Sequence, residues 1–417
     1  MHIYMENLIS YNMLMKSTHY IPRDIEPALR QAVKQFPSIL ITGPRQSGKT
    51  RLSVQLFSKT HKYVTFDDIK IRGLAIKDPE LFLEKFQPPL IIDEIQYAPQ
   101  ILPYIKMSID TDRDSGGKFI LTGSQQFALM QNVTESLAGR VGMLTLLPMS
   151  RAERVREKTP KKVLAGNLGN EWIRGGFPEL VARPGISTGA WYSSYLQTYL
   201  ERDVRSIRQV GDLGQYMEFI SALAARNTGL LNLAELSRDL GVALNTIKAW
   251  VSVLEASFQI FVIRPYYRNL GKRLVKNPKA YFTETGLVCH LLGIEDPGFA
   301  LSGPTAGSLL ETAVLSEIIK GFFNRGELPK IYFWRTSAGN EVDFIVERKG
   351  LLIPIEVKLT KTSNSGLAKG VDSFCALFGK QSPKGYVVCL TDERFPLSRS
   401  CEAVPFQSLP DVVFGKG

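Results

Sequence analysis

Short apolar runs, each closing on a glycine or polar turn, punctuate the first 150 residues. Ser38–Thr42, Tyr63–Phe66, Leu90–Ile92, Lys118–Gly123 and Leu144–Leu147 have the length and near-continuous apolarity of strands covered on both faces. Helix-like segments separate them, beginning with Arg51–Phe57. About five parallel strands alternating with helices predict an α/β fold, a doubly wound parallel sheet whose site lies at the strand C-termini.

Beyond Arg151 the apolar spacing becomes helical. Trp191, Tyr195 and Tyr199 recur every four residues, as on the packed face of a helix in a lid. Residues 233–255 read as a short amphipathic helix, a turn at Gly241 and a second helix with Ile247, Val251 and Leu254 inward, a helix-turn-helix pattern. Two strands follow at residues 339–347 and 352–358, joined through Lys349-Gly350, and Cys389 falls in the core of a later strand. The expected units are an N-terminal extension (1–21), a nucleotide-binding core (22–150), a helical lid (151–215), a winged-helix unit (216–285) and a restriction-endonuclease-like α/β unit (286–417).

Length supports this division, because 417 residues exceed what one hydrophobic core organises. The net charge of +11 favours a polyanionic partner, though an excess of this size also suits a merely solvated surface. Four scattered cysteines form neither a CxxC pair nor a disulfide framework, which suggests a reducing compartment. No run reaches the ~18 apolar residues of a membrane span, and the first twenty residues lack signal-peptide order. The expected location is the cytoplasm, with no membrane partner.

The candidate chemistry begins directly after the first strand. Gly43-Pro44-Arg45-Gln46-Ser47-Gly48-Lys49-Thr50 is a complete GxxxxGK[ST] phosphate-binding loop in strand–loop–helix context. Gly43 and Gly48 let the backbone wrap phosphate oxygens, Lys49 neutralises the outer phosphates, and Thr50 can ligate Mg²⁺. Asp93 and Glu94 end an apolar strand, as a Walker B element does: Asp93 would hold Mg²⁺ through water and Glu94 would polarise the attacking water. Ser124, after Leu121-Thr122-Gly123, resembles the sensor of AAA-type ATPases, and Arg140 stands where such enzymes present a finger to a neighbouring subunit. A surface arginine capping a helix would read the same way. ATP and Mg²⁺ are the expected cofactors.

Asn245 and Lys248 would point outward from the second helix of the helix-turn-helix, as groove-reading residues do. The stretch Ala256–Thr283 carries six basic residues, Arg264, Arg268, Lys272 and Arg273 among them, and no acidic one. A charged strand-rich wing against DNA fits this imbalance, and such units also serve as protein–protein modules. Asp343 and Glu356-Val357-Lys358 form a D…ExK arrangement, two carboxylates and an ammonium able to hold a divalent ion and a hydrolytic water, with Glu311 on a preceding helix completing the shell. An exposed salt-bridged hairpin would give the same spacing.

The order of motifs resembles a prokaryotic family of AAA ATPases whose C-terminal half joins a winged helix to a restriction-endonuclease-like module. The matching features are the loop at 43, Ile-Ile-Asp-Glu at 91, Leu-Thr-Gly-Ser at 121, Leu-Ala-Gly-Arg at 137, Gly-Gly-Phe-Pro-Glu at 175, Tyr-Leu-Glu-Arg-Asp at 199, Glu-Val-Asp-Phe at 341 and Ile-Glu-Val-Lys at 355. The resemblance implies ATP and Mg²⁺ and suggests ring-like self-association and DNA-linked work; the leading expectation is an ATP-hydrolysing homo-oligomer, a hexameric ring being one form, that engages duplex or branched DNA. An ATP-gated metal-dependent nuclease and an ATP-dependent signalling or toxin–antitoxin-like switch with protein partners are the other readings.

Overall fold

The structure is a computed structural model that describes residues 20–112, 115–124, 136–156, 168–204, 210–266, 277–336, 339–362 and 364–415. Five strands, β1 (Ser38–Thr42), β2 (Lys62–Thr65), β3 (Leu90–Asp93), β4 (Phe119–Thr122) and β5 (Val141–Thr145), form one all-parallel sheet in the order β2-β3-β4-β1-β5. The predicted α/β class and parallel sheet are therefore present. β1, β3 and β4 are buried at every position, which is why their sequences read as unbroken apolar runs. β5 begins earlier than the run at Leu144 suggested. At the sheet edge it alternates between buried and open positions, with Met143 exposed, while Leu146 and Leu147 lie in a buried loop beyond the strand.

A second sheet of eight strands has the order β12-β13-β11-β10-β9-β8-β6-β7. Its members are β6 (Ile260–Pro265), β7 (Lys279–Phe282), β8 (Ile331–Arg335), β9 (Glu341–Arg348), β10 (Leu351–Val357), β11 (Gly385–Cys389), β12 (Phe395–Pro396) and β13 (Cys401–Pro405). β9 and β10 form the predicted antiparallel pair, and Lys349 and Gly350 both take positive φ (50° and 79°), the backbone of a two-residue hairpin turn. β6 pairs antiparallel with β7 and parallel with β8, so strands expected in separate units share one sheet.

Helices Leu233–Leu240 and Leu244–Ala256 flank Gly241, which ends the first in a left-handed conformation (φ 64°). Ile247, Val251 and Leu254 face inward, as their spacing required. Trp191, Tyr195 and Tyr199 are buried in the helix Thr188–Tyr199, the first two stacked at 5.4 Å, and the expected packing role holds. One apolar cluster runs through these helices, both halves of the helix-turn-helix and the C-terminal sheet. The helix Ala306–Phe323 crosses this core and is buried on most sides.

Two buried ion pairs join the parts. Lys320 bonds Glu284 and donates to the Met149 carbonyl, while Met149 N–H donates to Gly176 O. Arg23 bonds Glu153, and Glu317 accepts from the Arg151 N–H.

Candidate active site

The turn after β1 wraps as the motif required. Gly43 has φ 141°, and a Cβ there would lie 2.1 Å from the Leu146 carbonyl oxygen; Gly48 has φ 96° and begins the helix Lys49–Phe57. Lys49 is buried and its ammonium donates to the carbonyls of Gly43 (2.9 Å) and Pro44 (2.8 Å). Ser47 is buried, and Arg45 reaches the Tyr97 hydroxyl at 3.3 Å. Gln46 takes a left-handed φ of 59°.

Thr50, at the start of that helix, donates to both carboxylate oxygens of Asp93 (3.0 and 2.9 Å). The Tyr63 hydroxyl donates to Asp93 Oδ2 at 3.0 Å, and Thr122 donates to Oδ1. Burial pushes the Asp93 carboxyl up, and the three hydroxyls and Lys49 oppose it. The facing hydroxyl and carboxylate are a two-oxygen donor set of the kind Mg²⁺ accepts while keeping water and phosphate oxygens in the rest of its shell. Glu94 adopts a left-handed backbone (φ 56°), and burial likewise raises its carboxyl above the usual range, Lys49 opposing. Ser124 is buried beside it, linked through Gln96. Gln125 lies outside the described residues.

Lys49, Thr50 and Glu94 open into a cleft of about 530 Å³, with Asp93 and Ser124 behind them. Its far wall, which the sequence reading did not assign, comes from Pro178, Ala182 and Arg183 in and after the helix Pro178–Ala182, from Thr198 near the end of the helix Thr188–Tyr199, and from Arg202 in the turn Leu200–Val204 that follows it. Arg23 was also missed. Its guanidinium is buried and donates to Ser47 O (2.9 Å), Leu147 O (2.7 Å) and Glu153 (3.0 Å), which ties the phosphate loop to the end of β5 and to the helix Arg151–Arg156. The signal was faint, one arginine ahead of the first strand.

Arg140 lies away from the cleft's named lining. It makes two bonds to Asp110, Nε to Oδ1 at 2.6 Å and Nη2 to Oδ2 at 3.1 Å.

A second cluster forms in the eight-stranded sheet. Asp343 on β9 accepts from the Val357 N–H at 2.8 Å, Lys358 pairs with Glu356 at 2.6 Å, and Glu311 receives the Tyr281 hydroxyl. Glu311 and Asp343 thus meet around a cation that was not anticipated, while Glu356 pairs with Lys358 beside Asp343. Lys279, counted among the basic residues of the wing, is buried, with its ammonium 2.9 Å from Glu341, 3.6 Å from Glu311 and 3.8 Å from Asp343. Among the described residues, no group of three or more His, Cys, Asp or Glu is spaced to hold a metal ion. Burial and then Asp343 raise Glu311 to about 7, and the same two causes raise Glu356 to about 7. Burial alone would lower the Lys279 pKa, but Glu311, Asp343 and Glu341 outweigh it and keep the ammonium charged.

Asn245, Lys248 and Arg264 are exposed, the first two on the helix Leu244–Ala256 and the third on β6. Arg268, Lys272 and Arg273 lie outside the described residues. Among the described residues, no helix is long and apolar enough to cross a membrane, and all four cysteines are free and buried.

Residues 35–155 match the AAA domain family, 166–298 a domain of unknown function (DUF8612) and 306–409 another (DUF4143). The uncharacterized proteins Mb2031c of Mycobacterium bovis and Rv2008c of Mycobacterium tuberculosis are each 31% identical over 385 residues, 92% of this chain and 83% of theirs. A Walker-type ATPase of Pyrococcus abyssi, PABY2304, superposes with a TM-score of 0.43 at 15% identity, covering 64% of this chain and 95% of its own. With a phosphate-binding loop and acidic strand end at one cleft, and 31% identity along nearly its whole length, the chain belongs to the family of these mycobacterial proteins and carries an AAA-type P-loop ATPase domain.

Proposed function

We propose that ATP hydrolysis at the cleft drives work on duplex or branched DNA engaged by the C-terminal half. The convergence of Lys49, Thr50, Asp93 and Glu94 at the C-terminal edge of the parallel sheet carries the hydrolytic part. Lys49 binds the outer phosphates, its carbonyl partners exchanged for phosphate oxygens, and the loop amides take the rest. Thr50 and Asp93 would hold Mg²⁺, which supplies charge neutralisation on the phosphates. Glu94 takes the proton of the attacking water as its oxygen bonds to the γ-phosphorus and the bond to the β,γ-bridging oxygen breaks; that proton then passes to the phosphate product. Ser124 contacts the γ-phosphate or the water.

Exposed Asn245, Lys248 and Arg264, with the net charge of +11, support DNA as the partner. Arg140, half-buried and held by Asp110, would in a homo-oligomer, a hexameric ring being one form, leave that pair to serve a neighbour's nucleotide. ATPase rates and binding with duplex, single-stranded and four-way DNA test the reading, with Lys248→Ala as control. No stimulation and no binding at low salt would sink it.

A second reading rests on the carboxylate cluster: Glu356 Oε2 is buried without a partner among the described residues, beside Asp343 and Lys358. An ATP-gated nuclease would set a divalent ion against Glu311, Asp343 and Glu356 with Lys358 orienting water, which requires the Lys279 ammonium to leave Glu311 and Asp343, because as they stand the described acids are not spaced to hold a metal ion. A Lys358→Ala protein that cleaves DNA as well as the parent removes this reading.

A further inference from the structure

Glu94 must present one carboxylate oxygen to water in a fixed direction, and a glutamate on a turn has no intrinsic reason to do so. After β3 the left-handed Glu94 (φ 56°, ψ 46°) leads into a short 3-10 turn, Ile95–Tyr97, which carries the Gln96 side chain back beside Glu94. Gln96 Nε2 donates to Glu94 Oε2, and the same nitrogen stands 3.4 Å from Ser124 Oγ. The carboxylate fixes the sense of the amide, because the reversed amide would set a carbonyl oxygen against a negative acceptor. Gln96 Oε1 is therefore the group left over, and it is buried with no partner among the described residues. A buried carbonyl oxygen without a donor is costly, so the amide is held in this sense by what its Nε2 gains at Glu94 and Ser124.

We propose that Gln96 is a positioning residue for hydrolysis: from behind the cleft its Nε2 links Glu94 to Ser124 and so fixes the direction in which the Glu94 carboxylate faces the attacking water. Gln96 exchanges no proton; it fixes the base. The inference rests on Glu94 being the general base.

The test uses the full chain with Mg-ATP. Gln96→Ala and Gln96→Glu should each lower kcat about 10- to 100-fold while KM and the affinity for a fluorescent ATP analogue stay within about 3-fold. Gln96→Glu keeps the shape and loses the donor, so a residue that merely fills space would tolerate it. Combined with Glu94→Gln, Gln96→Ala should add almost nothing, because both act on one step. Unchanged kcat in either single variant, a rise in KM alone, or a fully additive double variant overturns the proposal. Absence of turnover by the parent protein overturns the hydrolase reading and this one with it, whereas turnover insensitive to Gln96 overturns this one alone.

Discussion

Replacing Lys279 with Met keeps much of the side-chain volume and removes the ammonium. Glu311 and Asp343 are largely buried and stand 3.6 and 3.8 Å from that ammonium, while Glu341, at 2.9 Å, is more open and also meets Arg335 at 3.5 Å. At an effective dielectric near 20 each buried partner interacts with Lys279 by about 4 kcal/mol, much of it offset by the desolvation of the ammonium. What decides the outcome is that Met leaves two carboxylates uncompensated, and one-sided removal from a buried cluster costs about 3–5 kcal/mol. The loss should be greatest near pH 8, where the carboxylates are ionised, and smaller at pH 4.5, where burial keeps them protonated in the folded protein and Glu311, at its ordinary value of 4.5, is half protonated in the unfolded chain too. Urea denaturation followed by circular dichroism at the two pH values measures it. A loss under about 1 kcal/mol, or one equal at both pH values, would refute the view that Lys279 is the cluster's counter-ion.

Two further outcomes follow from the same physics. Glu311 sits at about 7 in the folded protein against 4.5 ordinarily, so its burial penalty is absent below 4.5, grows as pH rises and is complete above about 7. Glu311→Gln should thus raise stability at pH 8 by on the order of 1–3 kcal/mol and leave it unchanged at pH 4, as paired denaturation curves will show. Arg23→Ala strands buried Glu153 and frees the Ser47 carbonyl; a loss of about 3–5 kcal/mol and weaker nucleotide binding are expected in melting and titration experiments. Glu153, which burial alone would raise, is held below the usual range by Arg23 and backbone donors, so this support is present above pH 4.5 and fades as pH falls through the lowered value.

The nucleotide-binding half was legible because its information is local. A buried parallel strand is an apolar run, and Gly43 and Lys49 act within a few residues of each other. Asp93 and Glu94 announce themselves by following such a run. The edge strand β5 was misplaced because its edge position breaks the pattern. Gln96, Arg23 and Tyr63 were invisible for another reason, since each acts through a contact that only the turn after β3, the segment before β1 or the strand neighbouring β3 creates. Lys279 misled outright. In sequence it adds to a basic stretch, and only the pairing of β6 with β8 joins its hairpin to the sheet that carries Asp343 and Glu356. The units were separable by motif, but not by core, since one apolar cluster joins lid, helix-turn-helix and C-terminal sheet.

Phosphate release from Mg-ATP by the parent chain and by Glu94→Gln, with nucleotide binding measured on both, tests the central claim most directly. The account predicts steady turnover by the parent, and in Glu94→Gln a kcat lowered about 10²- to 10⁴-fold with ATP still bound. Equal turnover by the two proteins, or none by a parent that binds ATP, would contradict it.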